Sequence, residues 1–250
     1  MKDFILILDF GSQYTHLIRA RLSDLGVASI IEPADYTWKQ LKLSRDCSFL
    51  KGLILSGGAQ SVSNSVISFD RRWLNLGIPI LGICYGHQLL VKLYGGKIRR
   101  SVPEFGKEVL KIIATSSLFA GVKKTSIIWM SHNDSVTILP KEFKPIGRSF
   151  CSGFSAIEHV TFPTYGIQFH PEVSHTEEGN KILDNFIKIC QIKKIKKWSS
   201  ENFIFDASQK YKKIVRQNTI LVAVSGGVDS MTLVALLSKI FKKKQILAVY

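Results

Sequence analysis

Three apolar runs in the first 95 residues each end in a glycine-bearing turn. FILILD (4–9) leads into FGSQYT, LKGLILSGG (50–58) breaks at a Gly-Gly pair, and IPILGI (78–83) runs into CYGHQLLVKLYGG. Short apolar runs bounded by turn residues read as buried strands. After the first, Leu17, Ile18, Arg21, Leu22 and Leu25 recur at helical spacing until Gly26 stops them. VASIIEP (27–33) reads as another strand, and QLLVKL as a helix closed by Gly95-Gly96. Strand–helix alternation of this kind sets successive strands parallel and covers the sheet with helices. The fold class expected is α/β, a mostly parallel mixed sheet flanked by helices.

Beyond Lys97 the pattern changes. KEVLKIIA, SIIWMSHND, FKPIGRS and FSAIEHV are strand-like pieces without helical periodicity between them, which predicts an antiparallel extension of the sheet. YGIQFHPE reads as one more strand leading to a loop. EEGNKILDNFIKICQ reads as a closing helix with Ile182, Leu183, Phe186, Ile187 and Cys190 on one face. Residues 191–217 are polar and basic and read as a linker holding a short helix. Ile220–Val224, the loop SGGVDS, a helix to about Phe241 and ILAVY then form one βαβ unit. The expected division is 1–190, a linker over 191–217, and 218–250.

Composition narrows the setting. No window is apolar enough to span a bilayer. The N-terminal apolar stretch is bracketed by Asp3 and Asp9 and no small-residue cleavage site follows it, so it reads as a strand rather than a signal peptide. The four cysteines, Cys47, Cys84, Cys151 and Cys190, form no CxxC pair and no Cys/His pair with zinc-ligand spacing. Reduced thiols in the cytoplasm and no metal site are therefore expected. The formal charge is +15, and between Lys188 and Tyr250 there are 13 Lys or Arg against three acids. These are lysine runs on what read as solvated faces. A nucleic-acid surface would more often carry arginine with interleaved aromatics, so no specific nucleic-acid partner is expected.

GICYGHQ has the form Gly-x-Cys-x-Gly after a buried strand and before a helix. That is a nucleophile elbow with sulfur in place of the hydroxyl. Gly82 and Gly86 leave room for the sharp turn, and the helix N-terminus favours thiolate at Cys84. The alternative is a buried structural cysteine beside a glycine turn. QFHPEV supplies His170 and Glu172, two apart and so on one face of a strand, with Pro171 turning the chain. Glu172 would orient His170, and His170 would exchange a proton with Cys84. His-Pro-Glu alone is a weak signal, and gains force from the cysteine elbow upstream. LSGGAQSV ends a strand at Gly57-Gly58. The backbone N–H of Gly58 with that of Tyr85 would bind an oxyanion, where an ordinary Gly-Gly turn is the plainer alternative.

LDFGSQYT, LSGGAQSV, GICYGHQLL, WMSHNDSV and YGIQFHPEVSHT together, in this order, resemble the class I glutamine amidotransferases. DFGSQYT, HPEVSHT and the later SGGVDS are similar to the glutamine-hydrolysing GMP synthases within them. The resemblance implies that Cys84 attacks the carboxamide of glutamine, that a thioester at Cys84 is hydrolysed with His170 as acid and base, and that Gln88 contacts the substrate. It implies no cofactor for this step. Three positions depart from the pattern: Ala59 where Pro is usual, His87 where Met is usual, and Asn133 where Gly is usual. Ala59 loosens a turn, His87 would add a titratable group beside the nucleophile, and Asn133 would tolerate a left-handed backbone in place of glycine.

SGGVDS is no Walker A loop, since Gly-x-x-x-x-Gly-Lys-Ser/Thr is absent. It resembles the pyrophosphate loop of N-type ATP pyrophosphatases. Ser225, Gly226, Gly227, Val228, Asp229, Ser230 and Met231 would then wrap pyrophosphate at a helix N-terminus, with Met231 where a small residue is usual. A Gly-Gly turn capped by Asp229 is the plain alternative. The full enzyme of that family would use ATP and Mg2+ to adenylate xanthosine monophosphate (XMP) and aminate it to GMP, as a homodimer. Here the synthetase part is only begun and the dimerisation region is absent, so no GMP synthesis by this chain alone is expected. A free-standing glutaminase subunit or an inactive remnant are the alternatives.

Overall fold

The computed structural model describes residues 2–62, 68–193 and 200–250, and divides into two compact units, Met1–Ile195 and Lys196–Tyr250. In the first, β1 (Phe4–Phe10), β2 (Ala28–Pro33), β3 (Leu50–Gly58), β4 (Ile80–Ile83) and β9 (Thr164–Ile167) lie parallel. Then β8 (Ala156–His159), β7 (Phe143–Arg148), β5 (Lys97–Ile112) and β6 (Thr125–Ile138) continue the sheet antiparallel. The strand order among the described residues is β2-β1-β3-β4-β9-β8-β7-β5-β6. The mixed sheet read from the sequence is present, with its parallel and antiparallel parts where the patterns placed them.

The inner parallel strands β1, β3, β4 and β9 are mostly apolar and buried, whereas β2 at the sheet edge is half-buried. Leu6, Leu8, Leu53 and Leu55 pack to one side with Trp73 and with Leu89 and Leu90 of α3 (Tyr85–Leu93). Ile5, Ile7 and Ile54 pack to the other with Ile18 and Leu22 of α1 (Thr15–Asp24) and Ile182, Leu183, Phe186 and Ile187 of α4 (Gly179–Ile189). At about 25 cal/mol per Å² of apolar surface, two such faces supply most of the driving force for folding. A further helix, α2 (Trp38–Ser44), starts at Thr37, whose side chain accepts from the Gln40 amide while Gln40 caps back.

Two strands differ from their sequence reading. β5 is one 16-residue strand rather than a short piece. Pro103 falls in a register gap between Arg100 and Glu104, where a missing N–H costs no ladder bond. β9 stops at Ile167, so His170 and Glu172 lie in the loop beyond it and not on a strand face.

The second unit holds α5 (Ser200–Val215), β10 (Ile220–Ala223), α6 (Val228–Ile240) and β11 (Ile246–Val249), with β10 and β11 parallel. Its cluster joins Ala207 of α5 to Ile240 and Phe241. The segment read as a linker therefore carries a 16-residue helix that packs into this unit. Residues 194–199 of that segment lie outside the described residues. Among the described residues, no helix is long and apolar enough to cross a membrane.

Candidate active site

Four parallel strands, β1, β3, β4 and β9, deliver their carboxyl ends to one edge of the sheet, the edge where ligands sit in open α/β folds. A cavity of about 370 Å³ opens there. It is lined by Gly11–Tyr14 after β1, Gly58–Ser61 after β3, Cys84, Tyr85 and Gln88 after β4, His170 after β9, and Ser131–Asp134 from β6. Its size suits a small polar ligand.

Cys84 sits between β4 and α3 with φ 51° and ψ −101°, a conformation that costs a non-glycine residue of order 1–3 kcal/mol. Two things hold it there. The Cys84 N–H donates to the Ile167 carbonyl at 2.8 Å, tying the turn to β9. Gly86 packs against the Leu55 carbonyl so closely that a Cβ would overlap it. The Cys84 side chain is 4% exposed and reaches the cavity, with Sγ 3.6 Å from the Ser131 carbonyl oxygen and 3.7 Å from Gln168 Nε2.

His170 Nδ1 lies 2.8 Å from Glu172 Oε1, and both side chains are buried. Burial alone would lower the imidazole pKa. The charge of the Cys84 sulfur beside it, a hydrogen bond to that sulfur and the Glu172 carboxylate outweigh burial and raise it to about 10. The arrangement therefore favours the protonated imidazole, set between the Cys84 sulfur and a carboxylate behind the ring. Its alignment does not come from strand alternation. His170 N–H donates to the Trp129 carbonyl at 3.0 Å, Thr176 Oγ1 donates to the His170 carbonyl at 2.6 Å, and Arg21 Nε donates to the Glu172 carbonyl at 3.0 Å. Tyr14 meets the imidazole edge-on at 5.0 Å. Gly58 closes the far side: a Cβ there would lie 2.8 Å from the Phe10 carbonyl oxygen and 3.1 Å from the Tyr85 ring.

The sequence of residues 6–190 matches the family described as glutamine amidotransferase class-I. This chain belongs to that family. Over 241 residues it is 42% identical to a GMP synthase [glutamine-hydrolyzing] of Staphylococcus aureus (strain MSSA476), and equally to that of Staphylococcus saprophyticus. The alignment takes in 95% of this chain but 46% of those proteins, so the chain spans about half the length of the curated relatives it matches. A crystal structure from Thermoplasma acidophilum, described as that of a GMP synthase subunit, superposes with a TM-score of 0.68 at 32% identity, covering 76% of this chain and 95% of that one. A glutamine amidotransferase of Thermotoga maritima shares the fold, with a TM-score of 0.56 at 16% identity over 96% of each chain.

Of the amidotransferase positions nominated by sequence, Cys84, His170, Gly58, Tyr85 and Gln88 meet at the cavity, with Glu172 buried behind His170. Gln88 donates from Nε2 to the Asp134 carbonyl at 2.7 Å. Two departures resolve differently from expectation. His87 does not sit beside the nucleophile in the cavity. Its ring is fully buried against Gly166, neither nitrogen has a hydrogen-bond partner among the described residues, and burial followed by nearby His132 lowers its pKa to about 3. It is a neutral core residue. Asn133 lies within β6 and its φ is not positive, so no left-handed backbone is required of it.

Gln168, Tyr14 and His132 were missed. Gln168 and Tyr14 stand inside the motifs QFHPEV and DFGSQYT, where periodicity assigns them no role. His132 is neutral, its pKa lowered to about 4 mainly by burial. Its 3.7 Å approach to Glu104 is therefore no ion pair near neutrality.

In the second unit, Ser225–Gly227 form an exposed turn into α6, with Gly226 at φ 76°. Ser230 Oγ donates to the Gly227 carbonyl at 3.0 Å and lies 3.3 Å from Ser225 Oγ, and Met231 N–H donates to the Gly227 carbonyl.

Proposed function

We propose that this chain hydrolyses glutamine to glutamate and ammonia at Cys84. The observation that carries this is the Cys84–His170–Glu172 constellation opening on one cavity in a class-I glutamine amidotransferase. The Cys84 thiolate adds to the carboxamide carbon of glutamine. The developing oxyanion lies toward the backbone amides of Gly58 and Tyr85. His170, held protonated by the charges around it, gives its proton to the departing nitrogen, and ammonia leaves. A γ-glutamyl thioester remains on Cys84. Water then attacks it, His170 takes the proton, and glutamate is released with the thiolate restored.

The ammonia is destined for a synthetase of the kind found in the relatives, which aminates XMP to GMP with ATP. The turn at Ser225–Ser230 suits a pyrophosphate group. Its hydroxyls and backbone amides are exposed at the start of the 13-residue helix α6, and Gly226 takes a left-handed angle that opens the loop. ATP and its Mg2+ belong to that part, residues 218–250 being its beginning. A second reading is a glutaminase subunit serving a separate synthetase chain. The Thermoplasma protein supports it, since this chain covers 95% of that polypeptide. Either reading requires the same first reaction. Purified chain with glutamine should release glutamate and ammonia in equal amounts, and Cys84→Ala neither. No release from folded chain, alone or mixed with the synthetase half of a relative, would contradict the proposal.

A further inference from the structure

Gln168 is 1% exposed and lies just past the end of β9, between Gln88 and Cys84. Amide side chains can point either way, but here the direction is fixed. The Asp134 backbone carbonyl, 2.7 Å from Gln88, can only accept, so the Gln88 NH2 must face it. The same NH2 lies 3.1 Å from the other end of the chain of amides, which must then be the Gln168 oxygen. That leaves the Gln168 NH2 turned to the sulfur of Cys84, at 3.7 Å.

We propose that Gln168 is a further residue of the glutaminase apparatus, donating a hydrogen bond to the Cys84 sulfur with a polarity set through Gln88 by the Asp134 carbonyl. This rests on Cys84 being the nucleophile. The reason the site needs such a donor is local. The Ser131 carbonyl oxygen stands 3.6 Å from the sulfur and disfavours a thiolate there. The Gln168 N–H offsets it from the other side. Hydrogen bonds to a charged partner are about twice as strong as neutral ones. Both bonds of the relay are closed to water, since Gln88 is 4% exposed.

The titratable groups around the sulfur are His170, with Glu172 behind it, and His132 and Asp134 on β6. All are left in place by Gln168→Met, which keeps the volume and removes the amide. The rate of alkylation of Cys84 by iodoacetamide, read on its own peptide by mass spectrometry across pH, reports the thiolate directly. Gln168→Met is expected to shift the profile to higher pH and to slow the reaction about tenfold on its acidic limb, the size of one hydrogen bond to a charged group. Gln168→Asn, which retracts the amide by one methylene, should do the same should the Met variant fail to fold. An unshifted profile in a folded variant, with Cys84 reacting faster than exposed Cys151, overturns the role of Gln168 alone. Cys84 reacting more slowly than Cys151 in the unaltered chain overturns the nucleophile assignment and this inference together.

Discussion

At the scale of the residue, charge decides what each histidine does. Burial lowers the His170 pKa, but the Cys84 sulfur and the Glu172 carboxylate that face it outweigh burial and raise it to about 10. Glu172→Gln removes one of those charges and lowers the His170 pKa from its raised value. The imidazolium that must protonate the departing nitrogen is then less populated. The expected result is a fall in kcat/KM of about 10²–10⁴, with the alkaline limb of the pH–rate profile moved to lower pH. His87 shows the opposite case. Its folded-state pKa of about 3 lies below the ordinary 6.5, so the unfolded chain takes up the proton first. The stability carried by its neutral form is fully present above pH 6.5 and drains away as pH falls from there toward 3. His132, lowered to about 4, acts in the same direction. His87→Met should remove its share of this loss. Comparing urea melts near neutrality and at about pH 5, the variant should lose about 2 kcal/mol less than the unaltered chain. Equal losses would count against a neutral, unpartnered His87.

At the scale of the element, the turn between β4 and α3 is the part whose geometry has least freedom. Gly86→Ala places a methyl on the Leu55 carbonyl. Denaturant titration should show a loss of roughly 3 kcal/mol, and Cys84 should lose its reactivity even in the molecules that fold. Little change in either would mean that β3 and α3 can separate at no cost. This turn was readable in the sequence because Gly-x-Cys-x-Gly states its sterics directly. The parallel strands were readable for a similar reason, as unbroken apolar runs between glycines. What was not readable came from distant partners. α2 is announced only by the Thr37/Gln40 capping pair, in a stretch with little apolar periodicity. β5 is broken in sequence by Pro103 and Gly106, and only pairing with β6 across a register gap carries it through. His170 and Glu172 look aligned by strand alternation, whereas hydrogen bonds from Arg21 and Thr176 and to Trp129 place them. Gln168 has no sequence signal of its own, because its role exists only between Gln88 and Cys84.

At the scale of the whole molecule, the two units differ in how well they bury themselves. The first encloses both faces of its sheet. In the second, Leu221, Leu233, Leu247 and Val249 are each about half exposed or more, and the cluster of fully buried apolar residues is small. With so little area removed from water, local opening should cost less there. Amide hydrogen exchange is expected to be slow in β1, β3 and β4 and at least about a hundredfold faster in β10 and β11. Comparable protection in both would contradict that difference. The sequence shows only a short helix within a linker where α5 runs from Ser200 to Val215, because its lysines hide a modest apolar stripe that gains meaning from the cluster with Ile240 and Phe241.

The central claim is that the cavity at the carboxyl ends of the parallel strands holds glutamine against Cys84. The most direct measurement is intact and peptide mass spectrometry after exposure to an electrophilic analogue of glutamine, which needs no ammonia acceptor and no turnover. A single adduct on Cys84, formed in the unaltered chain, suppressed by excess glutamine and absent from Cys84→Ala, is the expected result. Adducts on Cys47 or Cys151 that glutamine does not suppress, with Cys84 untouched in a folded chain, would contradict it.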